Sequence, residues 1–507
     1  MGSCSLFNHQ LRQKLKARIF VALLALFISP MLLGNPNVLL IVADDLNTRL
    51  GTYGDPSIKT PQIDALADQG IQFDRAYVQY PQCAQSRASF LTGLYPNQTG
   101  VVGASGLKKN FRDKVPLTKT LPQVFQDNGY HTARVGKIFH QMVPKGIGQE
   151  IYDDKISWDE RHNPKGIDRT RVTEIQYLGP LVTEATKKTN MNGGWLSYMR
   201  LGGTSNDYTD GRVTEQAISI LEENAKSQST QPLFLAVGYV RPHVPFSAPE
   251  RFFDLYPLDD ISIEDVPEFD RNDIPSAHLS DRPYQLDMTD QQKRIMIQAY
   301  YASISFIDEQ VGKLITKLEE LKLKESTIII FVSDHGFLLG EHDLWQKPNL
   351  FENTLRIPLI ISDPGAAKSE LSSDSLIELI DLYPTILELS DLEIPKYVLG
   401  RSFAKLVDRP GMPFRKSALS QSHARVTQPN LKKENIFGYS VRTEQFRYTE
   451  WANGIHGTEL YDHTNDSGEN TNLSSHDAYQ DVEAGLRRLL RERIAESEVS
   501  PNQITER

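Results

Sequence analysis

Cysteine is almost absent from this chain of 507 residues, which contains only Cys4 and Cys83. Low-complexity tracts and evident internal repeats are also missing, so disorder is not the expectation. Hydrophobic residues make up 39% of the chain and charged residues 24%, as in soluble globular proteins. This length allows one large α/β unit or two to three domains around a sizeable core, which exceeds what a simple binding module needs.

An excess of positive charge is missing as well. The 55 Lys and Arg residues are outnumbered by 65 Asp and Glu residues, giving a formal net charge of −10. This balance argues against nucleic acid as the partner. An acidic protein still binds a sulfated or phosphorylated substrate when a few cations converge in one pocket. We therefore expect a locally positive site.

The first 34 residues differ in composition from the rest. An apolar run over residues 19–33 follows four basic residues, Arg12, Lys14, Lys16 and Arg18. Because this run is short for a stable membrane span, the pattern predicts a secretory signal peptide over residues 1–34 and export to a periplasm or beyond. An uncleaved membrane anchor is the alternative.

Cleavage at that point leaves Cys83 as the one cysteine of the exported chain. No intramolecular disulfide is then available, although exported proteins normally carry their cysteines as disulfides. An unpaired thiol there is either a small buried hydrophobe or a group used in chemistry, and composition alone favours the first. The residues around Cys83 in the sequence are needed to choose between these two roles.

Buried strands that end in acidic residues give the main indication of fold. The segment "NPNVLLIVADDL" predicts a central strand that ends at Asp44 and Asp45, and "STIIIFVSDHG" predicts another that ends at Asp334 and His335. Ligands of open α/β sheets bind at the carboxyl ends of the strands. Both predicted strands therefore place their acidic residues at the same edge of the sheet.

The remaining pattern alternates strands and helices. Further strands are predicted in "IQFDRAYVQY", "HTARVGK" and "PLFLAVGYV", and helices over residues 59–70, 118–128, 289–323, 376–390 and 478–496. Residues from about 145 to 205 lack a clear period and are interpreted as loops on the substrate side. Short strands after about residue 400 predict an antiparallel subdomain, so we expect an α/β domain over 35–399 and an α+β subdomain over 400–507.

Six motifs in matching order carry a family resemblance, from about residue 37 to beyond residue 473. They are "VADDL", "CAQSRASFLTGLYP", "VGKIFH", "RPHVPF", "SDHGFLLGEHDLWQK" and "ELYD". Together they resemble the type I sulfatases of the alkaline-phosphatase superfamily, especially iduronate-2-sulfatases and bacterial polysaccharide sulfatases. The resemblance implies an alkaline-phosphatase-like large mixed sheet flanked by helices, with a smaller C-terminal antiparallel-sheet subdomain.

The resemblance also implies a use for the cysteine. In this family a maturation enzyme oxidises it to formylglycine, whose hydrate attacks sulfur with one hydroxyl after a divalent cation lowers the pKa of that hydroxyl. Ca²⁺ or Mg²⁺ prefers oxygen ligands, which Asp44, Asp45 and Asp334 supply beside the side chain of Cys83. His335 is the least secure ligand, because imidazole is softer than such a cation prefers.

The other implied catalytic residues handle sulfate and protons. Lys137 and Lys347 match the sulfate-binding lysines. His140 matches the base that takes a proton from the second hydroxyl and so expels sulfate, and His243 matches the acid that protonates the leaving sugar alcohol. Seen alone, each has a commoner structural role, since an Asp pair can cap a helix, a lysine is usually solvated and a loop histidine usually packs.

The helix that we expect to begin at Cys83 would place this residue at a positive dipole end, suited to an anionic intermediate. Arg87 falls on the same helix face, where its guanidinium fork can hold the hydrate. Gln85 departs from the family pattern, which has Pro or Ala two residues after the cysteine.

The expected protein is an exported sulfuric ester hydrolase acting on a sulfated glycan. The resemblance points to the 2-O-sulfate of iduronate, or to a related uronate or marine polysaccharide unit of the ulvan or carrageenan type. One alternative is a phosphate or phosphonate ester hydrolase, which would need two metals, whereas the chain offers ligands for one. The other is a non-catalytic glycan-binding relative, which results if Cys83 is not matured. No stable membrane span is expected after processing.

Overall fold

The structure is a computed structural model, and it describes residues 35–103, 110–149, 153–178, 195–227, 231–279, 285, 287–366, 371–427 and 433–499. The predicted signal peptide over residues 1–34 lies outside the described residues and stays a prediction. Among the described residues, no helix is both long enough and apolar enough to cross a membrane.

The strands of the described residues have the following bounds in chain order: β1 (Asn37–Asp44), β2 (Ile71–Tyr77), β3 (His131–Gly136), β4 (Glu160–His162), β5 (Gln176–Tyr177), β6 (Ser197–Leu201), β7 (Leu233–Pro242), β8 (Phe246–Pro249), β9 (Thr327–Ser333), β10 (Leu338–Leu339), β11 (Trp345–Gln346), β12 (Arg356–Ile357), β13 (Leu359–Ser362), β14 (Ser372–Glu378), β15 (Ala418–Thr427), β16 (Lys433–Arg442), β17 (Phe446–Trp451) and β18 (Thr458–Asp462).

The helices have these bounds: α1 (Pro61–Gln69), α2 (Cys83–Thr92), α3 (Pro96–Thr99), α4 (Leu121–Asp127), α5 (Ile167–Thr170), α6 (Thr209–Lys226), α7 (Glu250–Phe253), α8 (Asp290–Glu320), α9 (Glu352–Leu355), α10 (Leu382–Leu389), α11 (Ala404–Asp408) and α12 (Gln480–Glu498).

A mixed sheet forms the centre of the molecule. Its strand order is β12-β2-β13-β9-β1-β7-β3-β4, and β14 pairs with β2 outside this path. The run from β9 to β4 is parallel, whereas β13 is antiparallel to both of its neighbours. The parallel run brings the carboxyl ends of β9, β1, β7 and β3 to one edge, which is the edge predicted to bind a ligand.

Helices cover both faces of this sheet. Successive side chains of β1 point into two separate hydrophobic clusters, with Val38, Leu40 and Val42 in one and Leu39, Ile41 and Ala43 in the other. The first cluster contains side chains of α2, α4 and α10, and the second contains side chains of α6 and α8. The buried β-branched run of β1 is what a central strand with helices on both sides requires.

A smaller antiparallel sheet follows towards the C-terminus, with the order β15-β16-β17-β18. Helix α12 packs Leu486 and Leu490 against this sheet. The predicted α/β class with a small C-terminal antiparallel sheet is therefore confirmed. The sheet begins at Ala418, and α11 still packs in the core of the larger unit. The domain boundary between residues 399 and 400 stays a prediction.

Two predictions of local structure were wrong. Residues 376–390 do not form one helix, because Ile377 and Glu378 pair in parallel with Ala76 and Tyr77 of β2, and α10 begins only at Leu382. Sheet pairing outweighs the local helical pattern here. The region from about 145 to 205 is not all loop either, since β4 extends the central sheet and β5 pairs with β6.

Candidate functional site

The predicted site residues lie at the carboxyl ends of the parallel strands. Asp44 ends β1, Lys137 follows β3, His243 follows β7, and Asp334 follows β9. Asp45 has a positive φ of 68°, a left-handed conformation that aspartate tolerates better than most residues. Its backbone is held there by two hydrogen bonds, from its N–H to Asp334 Oδ1 at 3.1 Å and from Tyr300 Oη to its carbonyl at 2.8 Å.

Cys83 is the first residue of α2, as predicted, and its side chain is buried among charged groups. Lys347 Nζ and His335 Nε2 each lie 3.3 Å from Cys83 Sγ, and Asp45 Oδ1 lies 3.8 Å away. His140 is near enough to lower the pKa of the thiol as well. These surroundings favour a chemical use of the cysteine over the role of a small buried hydrophobe.

The charges around Cys83 alter its acidity. Burial raises the pKa of the thiol, but the positive charges of Lys137, Lys347 and His335 outweigh burial and hold the pKa well below its usual value. The same cations would stabilise an anionic group bound at this position. Positively charged side chains therefore converge on Cys83, although the net charge of the protein is negative.

Arg87 lies one helical turn after Cys83 and is completely buried. Its Nε donates to Asp334 Oδ2 at 2.7 Å, and its Nη2 donates to Asp44 Oδ1 at 3.3 Å. Its Nη1 donates to the carbonyls of Lys137 and Ile138. The guanidinium thus braces two carboxylates and the end of β3.

The two lysines are paired with carboxylates of the same cluster. Lys137 Nζ donates to Asp44 Oδ2, and Lys347 Nζ donates to Asp45 Oδ1. Burial raises the pKa of Asp44, but Lys137, His243 and Arg87 outweigh burial and leave the pKa below its usual value. The two lysines and the buried carboxylates thus compensate one another.

The arrangement fits a divalent cation. Potential ligand atoms of Asp44, Asp45, Cys83 and His335 all lie within 4.8 Å of one another. Asp45 Oδ2 is buried without a hydrogen-bond partner, which is costly unless a further group satisfies it. Carboxylate oxygens are the ligands that Ca²⁺ and Mg²⁺ prefer. Asp334 Oδ1 lies 3.8 Å from His335 Nε2 and so borders the same group of atoms.

His335, the least secure predicted ligand, is oriented towards this cluster. Its Nδ1 lies 2.9 Å from the carbonyl oxygen of Gly336, which fits an Nδ1–H donor, so Nε2 would be the coordinating atom once it has lost its proton to make room for a cation. His335 Nε2 lies 3.3 Å from Asp45 Oδ1. The ring is thus held in the orientation that a ligand would need.

A second group of potential ligands, Glu352, His463 and Glu469, does not fit a metal. The guanidinium of Arg447 binds Glu352 with Nη2 and Glu469 with Nε. His463 Nε2 lies 2.9 Å from Glu469 Oε1. A buried arginine therefore occupies the position that a cation would take, so this group is an ion-pair network between the larger unit and the C-terminal sheet.

Two histidines complete the site. Burial lowers the pKa of the His140 imidazole, which favours the neutral form that accepts a proton. His243 Nδ1 lies 2.5 Å from the carbonyl oxygen of Val244, which leaves Nε2 for a substrate. Its neighbour Pro242 pairs with Asp44 across β7 and β1, so the backbone at His243 lies near the cluster.

Hydrogen bonds and close contacts connect eight of the ten residues singled out in the sequence, and His140 and His243 are linked to them through their effects on the pKa values of Cys83 and Asp44. Sequence reasoning missed residues that hold them, such as Tyr300 in α8 and Ser86, whose hydroxyl donates to the carbonyl of Asp334. Gln85 is also built into the structure, because its side-chain amide donates to Gln82 Oε1 at 2.8 Å and to the carbonyl of Gly103 at 3.0 Å.

Comparisons with known proteins agree with this geometry. The family model described as Sulfatase matches residues 36–392, and the model described as N-sulphoglucosamine sulphohydrolase, C-terminal, matches residues 340–496. Iduronate 2-sulfatase of Homo sapiens is 33% identical over 89% of this chain and 92% of its own length. An ulvan-active sulfatase of Formosa agariphila is 27% identical over 91% of this chain and 81% of its own length.

A solved structure shares the fold. The phosphonate monoester hydrolase of Agrobacterium radiobacter superposes with a TM-score of 0.71 at 21% identity, covering 91% of this chain and 96% of the other. At this level of identity the likeness shows the fold alone. The extent of the family match and the similarity to the human relative show that the chain belongs to the sulfatase family, the sulfuric ester hydrolases.

Proposed function

We propose that this sulfatase removes O-sulfate groups from a sulfated glycan after Cys83 has been converted to formylglycine. The observation that carries the proposal is the position of Cys83, whose Sγ lies 3.3 Å from both Lys347 Nζ and His335 Nε2 at the edge of a carboxylate cluster. A side chain at this position reaches a cation and a sulfate group together. Maturation requires a formylglycine-generating enzyme as a partner.

The chain's own residues bind the sulfate group. Cys83 begins a helix of ten residues, so sulfate transferred to its side chain lies at the positive end of the helix dipole. Lys137 and Lys347 flank the same position and neutralise charge that develops on the sulfate oxygens. Their pairing with Asp44 and Asp45 keeps both ammonium groups in place before the substrate arrives.

A divalent cation, Ca²⁺ or alternatively Mg²⁺, would be held by Asp44, Asp45, Asp334 and His335 together with the matured side chain of residue 83. Bound there, it would lower the pKa of the attacking hydroxyl and neutralise sulfate charge. Arg87 forms ion pairs with Asp44 and Asp334 and so holds their carboxylates in position.

Proton transfer falls to the two histidines. His140, held neutral by burial, accepts the proton of the second hydroxyl, which regenerates the aldehyde and releases sulfate. His243 donates a proton from Nε2 to the oxygen of the leaving sugar alcohol. Its Nδ1 bond to the carbonyl of Val244 fixes the ring for this role.

The substrate we propose is the 2-O-sulfate of iduronate or of a related uronate. Support comes from the 33% identity to the human iduronate 2-sulfatase over 92% of that protein's length. A marine polysaccharide unit of the ulvan or carrageenan type is the second candidate, and the 27% identity to an ulvan-active sulfatase favours the ulvan type. Export by the predicted signal peptide would bring the enzyme to either polymer.

Phosphate or phosphonate ester hydrolysis is the alternative activity. It would use two adjacent metals, whereas within the described ranges the Cys83 cluster fits one cation and the Glu352 cluster is filled by Arg447. If Cys83 stays a thiol, the chain is instead a non-catalytic glycan-binding relative.

Release of sulfate from a substrate panel tests these possibilities. The panel contains disaccharides with 2-O-sulfated iduronate and glucuronate, ulvan and carrageenan oligosaccharides, and phosphate and phosphonate monoesters as controls. We expect turnover of a 2-O-sulfated uronate and none by the Cys83→Ala variant. Faster turnover of the phosphonate than of every sulfate ester would contradict the proposal.

A further inference from the structure

The loop that carries His243 connects β7 to β8. A buried arginine at the end of β7 hydrogen-bonds to the backbone of this connection. Arg241, the next-to-last residue of β7, has a side chain with no solvent exposure. Its Nη1 donates to the carbonyl of His243 at 3.1 Å, and its Nε donates to the carbonyl of Ser247 at 3.1 Å. One guanidinium therefore binds the backbone at the start of the loop and the backbone of the strand that follows it.

The guanidinium is itself held by a carboxylate. Arg241 Nη2 donates to Asp168 Oδ2 at 2.6 Å, and Asp168 Oδ1 accepts from the N–H of Thr209 at 2.8 Å and from its hydroxyl at 2.6 Å. Thr209 is the first residue of α6, a helix of 18 residues. Asp168 thus caps a long helix and fixes the arginine at the same time.

The first turn of the same helix also holds the backbone of β7. Asp210 Oδ1 accepts from the N–H of Val240 at 2.8 Å, and Asp210 Oδ2 accepts from the N–H of Arg241 at 2.9 Å. The end of β7 is therefore attached to α6 through its backbone and through its arginine side chain. The loop is therefore attached to a helix that packs in the core, which restricts its movement.

The geometry requires arginine in particular. Its planar fork makes divergent hydrogen bonds to the His243 carbonyl, the Ser247 carbonyl and Asp168, whereas the single ammonium of a lysine cannot span all three. A buried guanidinium is costly unless every such bond is made. All of these contacts hold a loop that begins with His243, next to the residue that pairs with Asp44.

We propose that Arg241, supported by Asp168 and Asp210, is a positioning residue that aligns His243 with the oxygen of the leaving sugar alcohol. The inference rests on the proposed function, in which His243 is the acid. It goes beyond that function because it assigns the alignment of the acid to a buried network whose hydrogen bonds, among the described residues, go to groups other than the proposed cation ligands. General acids lose much of their effect when displaced by about 1 Å.

The test compares two leaving groups in the matured enzyme. One substrate is the sulfated disaccharide of the panel that is hydrolysed fastest. The other is 4-nitrocatechol sulfate, whose leaving group is a stable phenolate that departs without being protonated. We expect His243→Ala to lower kcat/KM for the disaccharide by about 10²-fold or more and to affect the aryl sulfate far less. Equal losses on both substrates would refute the acid role itself, whatever Arg241 does.

The inference is then decided by Arg241→Met, which keeps the aliphatic stem but removes the donors. We expect a loss of about 10²-fold on the disaccharide, little change on the aryl sulfate, and no further loss when Arg241→Met is added to His243→Ala. Arg241→Lys restores part of the lost activity. If His243→Ala is selective while Arg241→Met slows both substrates equally, or adds its full loss in the double variant, the positioning role is wrong.

A matched control separates positioning from stability. Arg447 is also buried and bound to two carboxylates, but it lies in the C-terminal sheet, so Arg447→Met should lower stability without changing the ratio of the two activities. If Arg241→Met does not fold, Asp168→Asn decides the question, because it weakens the hold on the guanidinium and keeps the shape of the side chain. A selective loss in Asp168→Asn supports the inference, and an unchanged activity ratio overturns it.

Discussion

Arg87 and Asp334 form an ion pair with neither side chain accessible to solvent, and 2.7 Å separates Nε from Oδ2. The pair joins the helix that begins with Cys83 to the residue that follows β9. The same guanidinium lies 3.3 Å from Asp44 at the end of β1. One arginine therefore fixes the distance between residue 83 and two of the proposed cation ligands.

Arg87→Met should be destabilising for this reason. The change leaves two buried carboxylates without their common partner, and breaking a buried pair costs about 3 kcal/mol or more. Urea denaturation in the presence of a chelator measures the free energy of unfolding. The exposed pair of Arg171 and Glu174 provides the control, since Arg171→Met should leave stability unchanged. An Arg87→Met protein as stable as the unchanged protein would contradict the account.

Calcium binding should depend on Asp45. Calorimetric titration of the chelator-treated protein with Ca²⁺, and separately with Mg²⁺, measures the affinity directly. We expect Asp45→Asn to weaken binding by more than about tenfold. Mutation of residues that only hydrogen-bond to a metal ligand already lowers metal affinity by about tenfold or more, and Asp45 is itself a proposed ligand. Glu469→Gln, in the cluster filled by Arg447, should leave the affinity unchanged. Equal affinities of the Asp45→Asn and unchanged proteins would place the cation elsewhere.

The pH dependence of stability should change at Asp308 of α8, which lies away from the site. Burial raises the pKa of this carboxyl to about 7, while its Oδ1 accepts from the N–H groups of Gln62 and Ile63 at the start of α1. The folded chain therefore keeps the proton to a higher pH than the unfolded chain. The resulting stability is present below about pH 4 and is lost as the pH rises towards 7.

Asp308→Asn keeps an oxygen acceptor but removes this titration. The variant and the unchanged protein should have similar free energies of unfolding at about pH 4, and the variant should be more stable by about 4 kcal/mol at pH 8. Denaturation curves across this pH range measure the difference. Two profiles that run parallel would show that Asp308 ionises normally in the fold.

The strands that carry the site were predictable from the sequence. The aliphatic runs ending at Asp44 and at Asp334 are buried on both faces, and such strands belong to the middle of a parallel sheet. That topology alone places their last residues at one edge. The position of Cys83 at a helix start also followed from the local pattern.

The contacts that hold the site were not predictable, because they come from distant parts of the chain. Tyr300 reaches the carbonyl of Asp45 from the middle of α8, and Asp168 reaches Arg241 from a four-residue helix. Neither has a local signal. The strand β14 was missed because its apolar residues suit a helix face equally well, and only pairing with β2 decides between the two.

The central claim is that residue 83 of the active enzyme carries an aldehyde. Cleavage after Arg75 and Arg87 releases a peptide over residues 76–87 that contains Cys83 and Gln85, and mass spectrometry of this peptide reads the state of the side chain. In protein produced together with a formylglycine-generating enzyme, we predict that the fraction of aldehyde at residue 83 rises in proportion to sulfatase activity. A preparation that releases sulfate at full rate while residue 83 is a thiol throughout would contradict the account.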